Sequence, residues 1–473
     1  MHKRENFTGN LGFILATAGS AIGLGNLWRF PYLAAKDGGG LFLLIYVILV
    51  FTFGYTLMTT EIAIGRKTGT GPLQAYQKMD RRFGFLGWLA TAVPAIVFPY
   101  YCVIGAWILN YGATYISGRA YQIYEVGATS FFNEFISNPI SPIVSLFLFM
   151  GLSALIVLLG VEKGIEKASK IMMPILLIII IIIVVYSLSL SHYDESTQTT
   201  RTAWDGLKIY LIPNFKGLTV GKFFSILLDA TGQMFYSLSV AMGIMITYGS
   251  YAKKESDLVS SISRIEVFDT GVAILAGMII IPAVFVFQGA EGLANSGPSL
   301  LFVSLPQVFE KMGTVGNAIG SFFFLLTFFA ALTSAISLME AVTASIIDRF
   351  QLTRPIATSL CLVTSLVIGV IVCLGYNVLH CNISLPNGTK GQLLDLLDYI
   401  TNSLMLPIVS LLTCILIGWV CKVHSVLDEI KIGYHKESIL REKMLAAMIR
   451  YVAPLLLFII LLQAFNVFSF LNK

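Results

Sequence analysis

Long apolar runs separated by short polar clusters repeat along the whole chain. A membrane crossing needs about 20 apolar residues. Eleven runs reach that length, at about 11–35, 40–65, 85–117, 139–159, 168–190, 222–248, 258–287, 316–347, 355–376, 391–421 and 444–470. They lack the polar face of a helix at a soluble surface. The pattern therefore predicts an all-α integral membrane protein with eleven transmembrane helices. Several runs exceed the minimum, which predicts tilt or extension beyond the bilayer. The first run is too long for the apolar stretch of a secretion signal, so it is read as a retained span. The connections at about 192–221 and 288–315 carry Pro, Gly and amphipathic pieces, which predict short helices lying over one face.

Two runs are interrupted at depth. The first reads AGSAIGLGNLWRFPY, with Gly19, Gly23 and Gly25 near its middle. The sixth reads GQMFYSLSVAMG, with Gly232, Ser237, Ser239 and Gly243. One such break is equally well explained by close helix packing through glycine. Two at matching places favour another reading. Non-helical backbone survives at membrane depth only where it lines a protein cavity, and matching breaks in two halves mark a transport site. The pattern predicts unwound helices 1 and 6 in a 5+5 inverted repeat. Residues 1–190 hold spans one to five and 222–421 hold spans six to ten, separated by an outer loop at 191–221. A cytoplasmic loop and span eleven occupy 422–473.

Composition agrees with lipid as the solvent. Of 473 residues, 56% are hydrophobic and 12% charged, against about 25% charged in soluble domains. The net charge of +5 is scattered, with no basic arm, which argues against nucleic acid. Lys and Arg favour the loops on the side of the N-terminus by more than two to one. That bias predicts a cytoplasmic N-terminus and, with an odd number of spans, an external C-terminus. The six cysteines show no metal spacing, and only Cys381 stands clearly in a loop. All five histidines fall in loops or near the ends, and no nucleophile–base pair or metal motif appears, so no enzyme is predicted.

Ionisable side chains at bilayer depth are costly and mark function. Asp269 lies within span seven, Glu61 in span two, Glu340 in span eight, Asp229 in span six and Asp398 in span ten, while Arg29 follows the first break. Glu61 and Glu340 are expected to bind backbone N–H groups freed by the breaks. A sodium ion is a hard cation that takes oxygen ligands. Asn26, Ser237 and Asp269 offer one such set. Thr333 and Ser334 with carbonyls around Gly19 and Ile22 offer a second, although an adjacent Thr–Ser pair also serves as a helix-packing contact. The half-helix that starts at Leu24 and Gly25 points N–H groups at the cavity, which suits a carboxylate.

These segments together are distinctive. LGFILATAGSAIGLGNLWRFPY with GGG at 38–40, EIAIGR at 61–66, PYYCVIGAW at 99–107, GVEKGIEKASKIMMP at 160–174, GQMFYSLSVAMG at 232–243 and FFAALTSAISLME at 328–340 resemble the neurotransmitter:sodium symporter family. The nearest likeness is to its bacterial eleven-span amino-acid transporters. The resemblance covers nearly the whole chain and implies the LeuT fold and two sodium sites. It implies a first site of the Ala21 carbonyl, Asn26, Ser237, Asp269 and the substrate carboxylate. It implies a second of the Gly19, Ile22 and Ala330 carbonyls with the Thr333 and Ser334 hydroxyls. The substrate carboxylate would meet Leu24, Gly25 and Tyr101, beside Ala21, and its ammonium the carbonyls near Phe235 and Ser239. Val97, Tyr236, Ser239, Met242, Ser334 and Leu338 would hold its side chain. Arg29, Gln233 and Asp398, under Tyr101 and Phe235, resemble an outer gate. Arg4, Asp348 and Tyr251 resemble an inner one.

Three departures bear on function. Gly23 stands where monoamine transporters of the family carry aspartate, so the substrate is expected to bring its own carboxylate. Asp269 stands where the bacterial leucine transporter has asparagine, and a fixed charge there would replace chloride. Phe7 stands where many members have tryptophan. The resemblance thus implies sodium-coupled, chloride-independent import of a small apolar L-amino acid, aliphatic or aromatic, across a bacterial inner membrane. Lipid is the expected surround, and no oligomer is required. A proton-coupled or sodium-independent transporter on the same fold is the alternative, with a channel or receptor further off.

Overall fold

The computed structural model describes residues 5–194, 198–293, 298–386, 388, 390–433, 439–465 and 467. Among them, nine uninterrupted helices are long and apolar enough to cross a membrane: Gly40–Thr68, Arg81–Ile116, Ser141–Leu158, Val161–Leu188, Leu258–Gly289, Thr314–Phe350, Arg354–Leu374, Leu393–Val420 and Ile439–Ala464. The first run is a bent pair, Asn10–Ala21 and Gly25–Lys36, turned by 53°. The sixth is also divided, into Val220–Ser237 and Ile244–Tyr251. These follow the eleven predicted runs in order and are called spans one to eleven below.

Each break has a local cause. In span one, Ile22 leaves the helix with φ −74° and ψ 93°. The next turn lies against a neighbour's ring, since a Cβ on Gly25 would sit 2.4 Å from Tyr236 Cδ1. In span six, Ser239, Ala241 and Gly243 all take positive φ, at 52°, 64° and 68°. Only glycine enters that region freely, so Ser239 and Ala241 are held there by their surroundings. Part of the hold is Glu61, whose Oε1 accepts the Ala241 N–H at 2.8 Å. This is the role expected for that acid.

The connections differ from expectation in two places. Residues 161–166, between the fourth and fifth predicted runs, are wide-turned helix continuous with span five rather than a separate connection. Gly160, with φ 83°, ends the preceding segment and lets the chain turn straight into it. Residues 191–202 hold an antiparallel hairpin, Ser191–Asp194 on Thr199–Thr202, ahead of the expected short helix Ala203–Leu211. Three threonines in the second strand favour extended backbone.

Candidate functional site

The two breaks face each other across spans three and eight and enclose one cavity. Every residue expected to touch substrate lines it except Phe235, and Ser20, Gly23 and Ile244 complete the wall. The free space is about 20 Å³, close to the room one water needs. Val97, Met242, Ile244 and Leu338 supply the apolar surface, and Tyr101, Ser239 and Ser334 the hydroxyls.

Phe235 was expected through its backbone carbonyl and as a cap, and its side chain lies outside the cavity lining. Its ring packs edge-on against Phe53 of span two, at 5.5 Å between centroids. Consecutive helix residues point about 100° apart, so the next residue, Tyr236, faces the cavity instead. The Arg29 guanidinium lies over the Tyr236 ring, 5.5 Å from its centroid. Gln233 Nε2 donates to the Gly25 carbonyl at 2.9 Å, tying the second half of span one to the first half of span six.

The polar groups at the breaks converge. Asn26 Nδ2 donates to Asp269 Oδ1 at 2.8 Å and to the Asp269 carbonyl at 3.2 Å. Ser237 Oγ lies 2.9 and 3.0 Å from the two Asp269 carboxylate oxygens. The Gly23 N–H donates to Asn26 Oδ1 at 3.2 Å. Asn26, Ser237 and Asp269 are fully buried. Tyr46, also fully buried, stands beside the same carboxylate and was missed by sequence reasoning. A tyrosine inside an apolar run carries no periodic signal of its own. Among the described residues no cluster of three or more His, Cys, Asp or Glu could hold a metal. One carboxylate among neutral oxygens instead suits a singly charged hard cation.

Of the second expected set, Gly19, Ala330, Thr333 and Ser334 lie where spans one and eight meet. A Cβ on Gly19 would meet Thr333 Cβ and Cγ2 at 3.4 Å, so spans one and eight touch there. The Thr333 hydroxyl donates within its own helix, to the Phe329 carbonyl at 3.0 Å and the Ala330 carbonyl at 3.1 Å. Ser334 and Ser239 both donate to the Ser20 carbonyl, each at 3.0 Å. That carbonyl lies in the last turn of the half-helix, where intrahelical partners run out. Ser20 was not anticipated. The Leu24 N–H points at the Tyr101 hydroxyl oxygen, 3.4 Å away.

The gates differ more from expectation. Arg29 and Asp398 do not form an ion pair. Asp398 accepts from Asn402 Nδ2 at 2.5 Å and from the Tyr100 hydroxyl at 3.3 Å, while Arg29 rests on Tyr236 and Gln233 is engaged with Gly25. On the opposite face, Arg4 lies outside the described residues. Asp348 Oδ2 accepts the Gly71 N–H at 2.6 Å. Glu340 does not bind freed backbone. Its carboxylate takes Arg354 Nη1 at 2.7 Å, Arg354 Nη2 at 3.1 Å and the Tyr251 hydroxyl at 2.5 Å. Arg354 also approaches Glu5 at 3.5 Å. A fully buried carboxylate in reach of a guanidinium is satisfied better by charge than by amides. Phe7 packs edge-on against Phe13, Tyr248 and Tyr251, so an aromatic plug is kept at this face.

A family model described as the sodium:neurotransmitter symporter family matches residues 4–121 and 130–472. The chain is 34% identical to a sodium-dependent transporter of Bacillus subtilis, YhdH, over 99% of both. It is 25% identical to the sodium- and chloride-dependent GABA transporter 2 of Rattus norvegicus, over 74% of this chain and 62% of that one. The crystal structure of MhsT in complex with L-phenylalanine superposes with a TM-score of 0.85 at 34% identity, covering 98% of this chain and 100% of that one.

Proposed function

Since the chain belongs to the sodium:neurotransmitter symporter family, and is thus a sodium-dependent multi-pass membrane transporter rather than an enzyme, we propose that it imports a small apolar L-amino acid, aliphatic or aromatic, with sodium and without chloride. The observation that carries this reading is Asp269, fully buried and held between Asn26 and Ser237 where both helices break. A buried carboxylate beside freed carbonyls and hydroxyls attracts a monovalent cation. With its negative charge fixed in place, an added anion has no work to do.

The substrate is a zwitterion in this account. Its carboxylate would meet the Leu24 and Gly25 N–H groups and the Tyr101 hydroxyl and complete the first sodium site with the Ala21 carbonyl, Asn26, Ser237 and Asp269. Sodium and amino acid then raise each other's affinity by the same factor. Gly23 supports an amino acid over an amine, because a side chain there would strike Ser334 Oγ at 2.7 Å and Tyr101 Oη at 3.1 Å. The apolar wall of Val97, Met242, Ile244 and Leu338 excludes a charged side chain. Met242 is unbranched and adapts to different apolar shapes. A second sodium at Gly19, Ile22, Ala330, Thr333 and Ser334 ties span one to span eight. Residues 1–190 and 222–421 form the inverted halves, which rock about this centre. The protein lies in a bacterial inner membrane with its N-terminus in the cytoplasm and its C-terminus outside.

Uptake into proteoliposomes tests the reading, with sodium and proton gradients imposed separately and each amino acid competing against a labelled apolar one. A sodium gradient alone should drive uptake. Replacing chloride with gluconate should leave the rate unchanged. Asp269→Ala should abolish sodium-dependent uptake while folded protein stays in the membrane. Full uptake by that variant, or a strong chloride requirement, would overturn the ion assignment.

A further inference from the structure

The central pocket and the side chains closing it are absorbed by the transport reading, but one polar cluster is not. Arg66, near the end of span two, has a side chain 1% exposed, and that of Glu429 is 6% exposed. Arg66 Nε donates to Glu429 Oε1 at 2.8 Å, and Nη1 to the Ser256 carbonyl at 2.7 Å. Nη2 donates to the Glu429 carbonyl and, at 3.4 Å, to that of Ile432. Lys254 Nζ reaches the same Glu429 oxygen at 2.9 Å. Three stretches meet here: the end of span two, the 252–257 connection after span six, and the helix His424–Lys431 between spans ten and eleven.

The first two belong to one body. A Cβ on Gly65 would lie 1.9 Å from the Ile246 carbonyl oxygen, and one on Gly249 2.3 Å from that of Ile62. Span two and the half-helix Ile244–Tyr251 therefore touch backbone to backbone. The helix His424–Lys431 is tied by the chain to spans ten and eleven instead. Glu429 is the charged junction between them. A carboxylate this far from water needs its cations, and parting the two bodies would strand a buried charge on either side.

We propose that Glu429 is a positioning residue of the transport cycle: clasped by Arg66 and Lys254, it holds the cytoplasmic end of the span two–span six pair against the helix His424–Lys431 and keeps the inward pathway shut. This rests on the proposal that the inverted halves rock about the central site, opening it to each face in turn, and on the cytoplasmic placement of the N-terminal face. Inward opening requires the clasp to part, so weakening it shifts the population toward the inward-open state.

A reporter thiol separates the latch from the reading beneath it. Ser337 lies one turn from Ser334 toward the cytoplasm, is 1% exposed, and meets the Tyr248 hydroxyl at 2.7 Å. Ser337→Cys would be labelled in inside-out vesicles with a membrane-impermeant maleimide, with and without sodium, and read at that residue by mass spectrometry. In the parent, sodium should slow labelling. Adding Glu429→Gln should speed sodium-free labelling about tenfold and raise the sodium needed for protection by a similar factor. Protection that sodium restores marks a folded transporter with a shifted equilibrium. Lys67→Ala removes the bond from Lys67 Nζ to the Ser425 carbonyl, 2.9 Å on the same helix, and should label like the parent. Parent-like labelling of Glu429→Gln, or equal acceleration by Lys67→Ala, would overturn the latch. A parent thiol indifferent to sodium would overturn the transport reading itself.

Discussion

At the turn after the first broken span, Asp37 is 5% exposed. Burial pushes its carboxyl up to about 7, the neighbouring Asp229 charge acts in the same direction, and Lys36 and Lys222 oppose. Lys36 is itself engaged by Asp229 at 2.7 Å. Between about pH 4 and pH 7 the folded protein therefore holds a proton that the unfolded chain releases, so stability falls as pH rises through that window. Thermal unfolding in detergent should show a lower midpoint at pH 8 than at pH 5.5, and Asp37→Asn should remove part of that slope. An identical slope in the variant would mean that Asp37 does not titrate there. At this scale the residues proposed to bind sodium were legible as a group because their chemistry is rare in an apolar run. Asn26, Ser237 and Asp269 stand out by being polar at depth. Where the Phe235 ring packs was not legible, because it depends on the phase of the half-helix against span two.

Elements meet here through missing side chains as much as through present ones. Span two and the half-helix Ile244–Tyr251 cross with Gly65 and Gly249 at the contact, and an added methyl at either would enter the partner's backbone. Neither carbonyl can yield as a flexible side chain would. Overpacking of this kind costs about 1–3 kcal/mol or more. Gly249→Ala should therefore lower the unfolding midpoint and cut uptake, whereas a parent-like midpoint would show that the helices can separate freely. The breaks themselves were readable as clusters of glycine and hydroxyl residues in two apolar runs. Glu340 was placed correctly in span eight but given the wrong partner. Arg354, which holds it, begins span nine and reads in sequence only as one more positive charge at a loop.

For the whole molecule, the proposed orientation, with the N-terminus inside and nine spans before it, puts the 375–392 connection outside the cell. Cys381 in that connection is exposed, four cysteines are buried, and Cys421 at the other face is partly so. An impermeant maleimide applied to intact cells should label Cys381 alone. Labelling of Cys421 instead would invert the orientation.

The sequence by itself determined the solvent, the number and order of the apolar runs, the two sites of unwinding and the oxygen-bearing residues near them. Each of these follows from local composition against a fixed bilayer thickness. Tertiary structure alone decided which carbonyl the serines of spans six and eight share, that the Phe235 ring packs on Phe53, that Arg29 stacks on a ring rather than pairing with Asp398, and that Glu429 joins span two to a distant helix. These outcomes depend on how helices far apart in the chain are rotated against one another. A turn of one residue exchanges one partner for another without altering any local pattern.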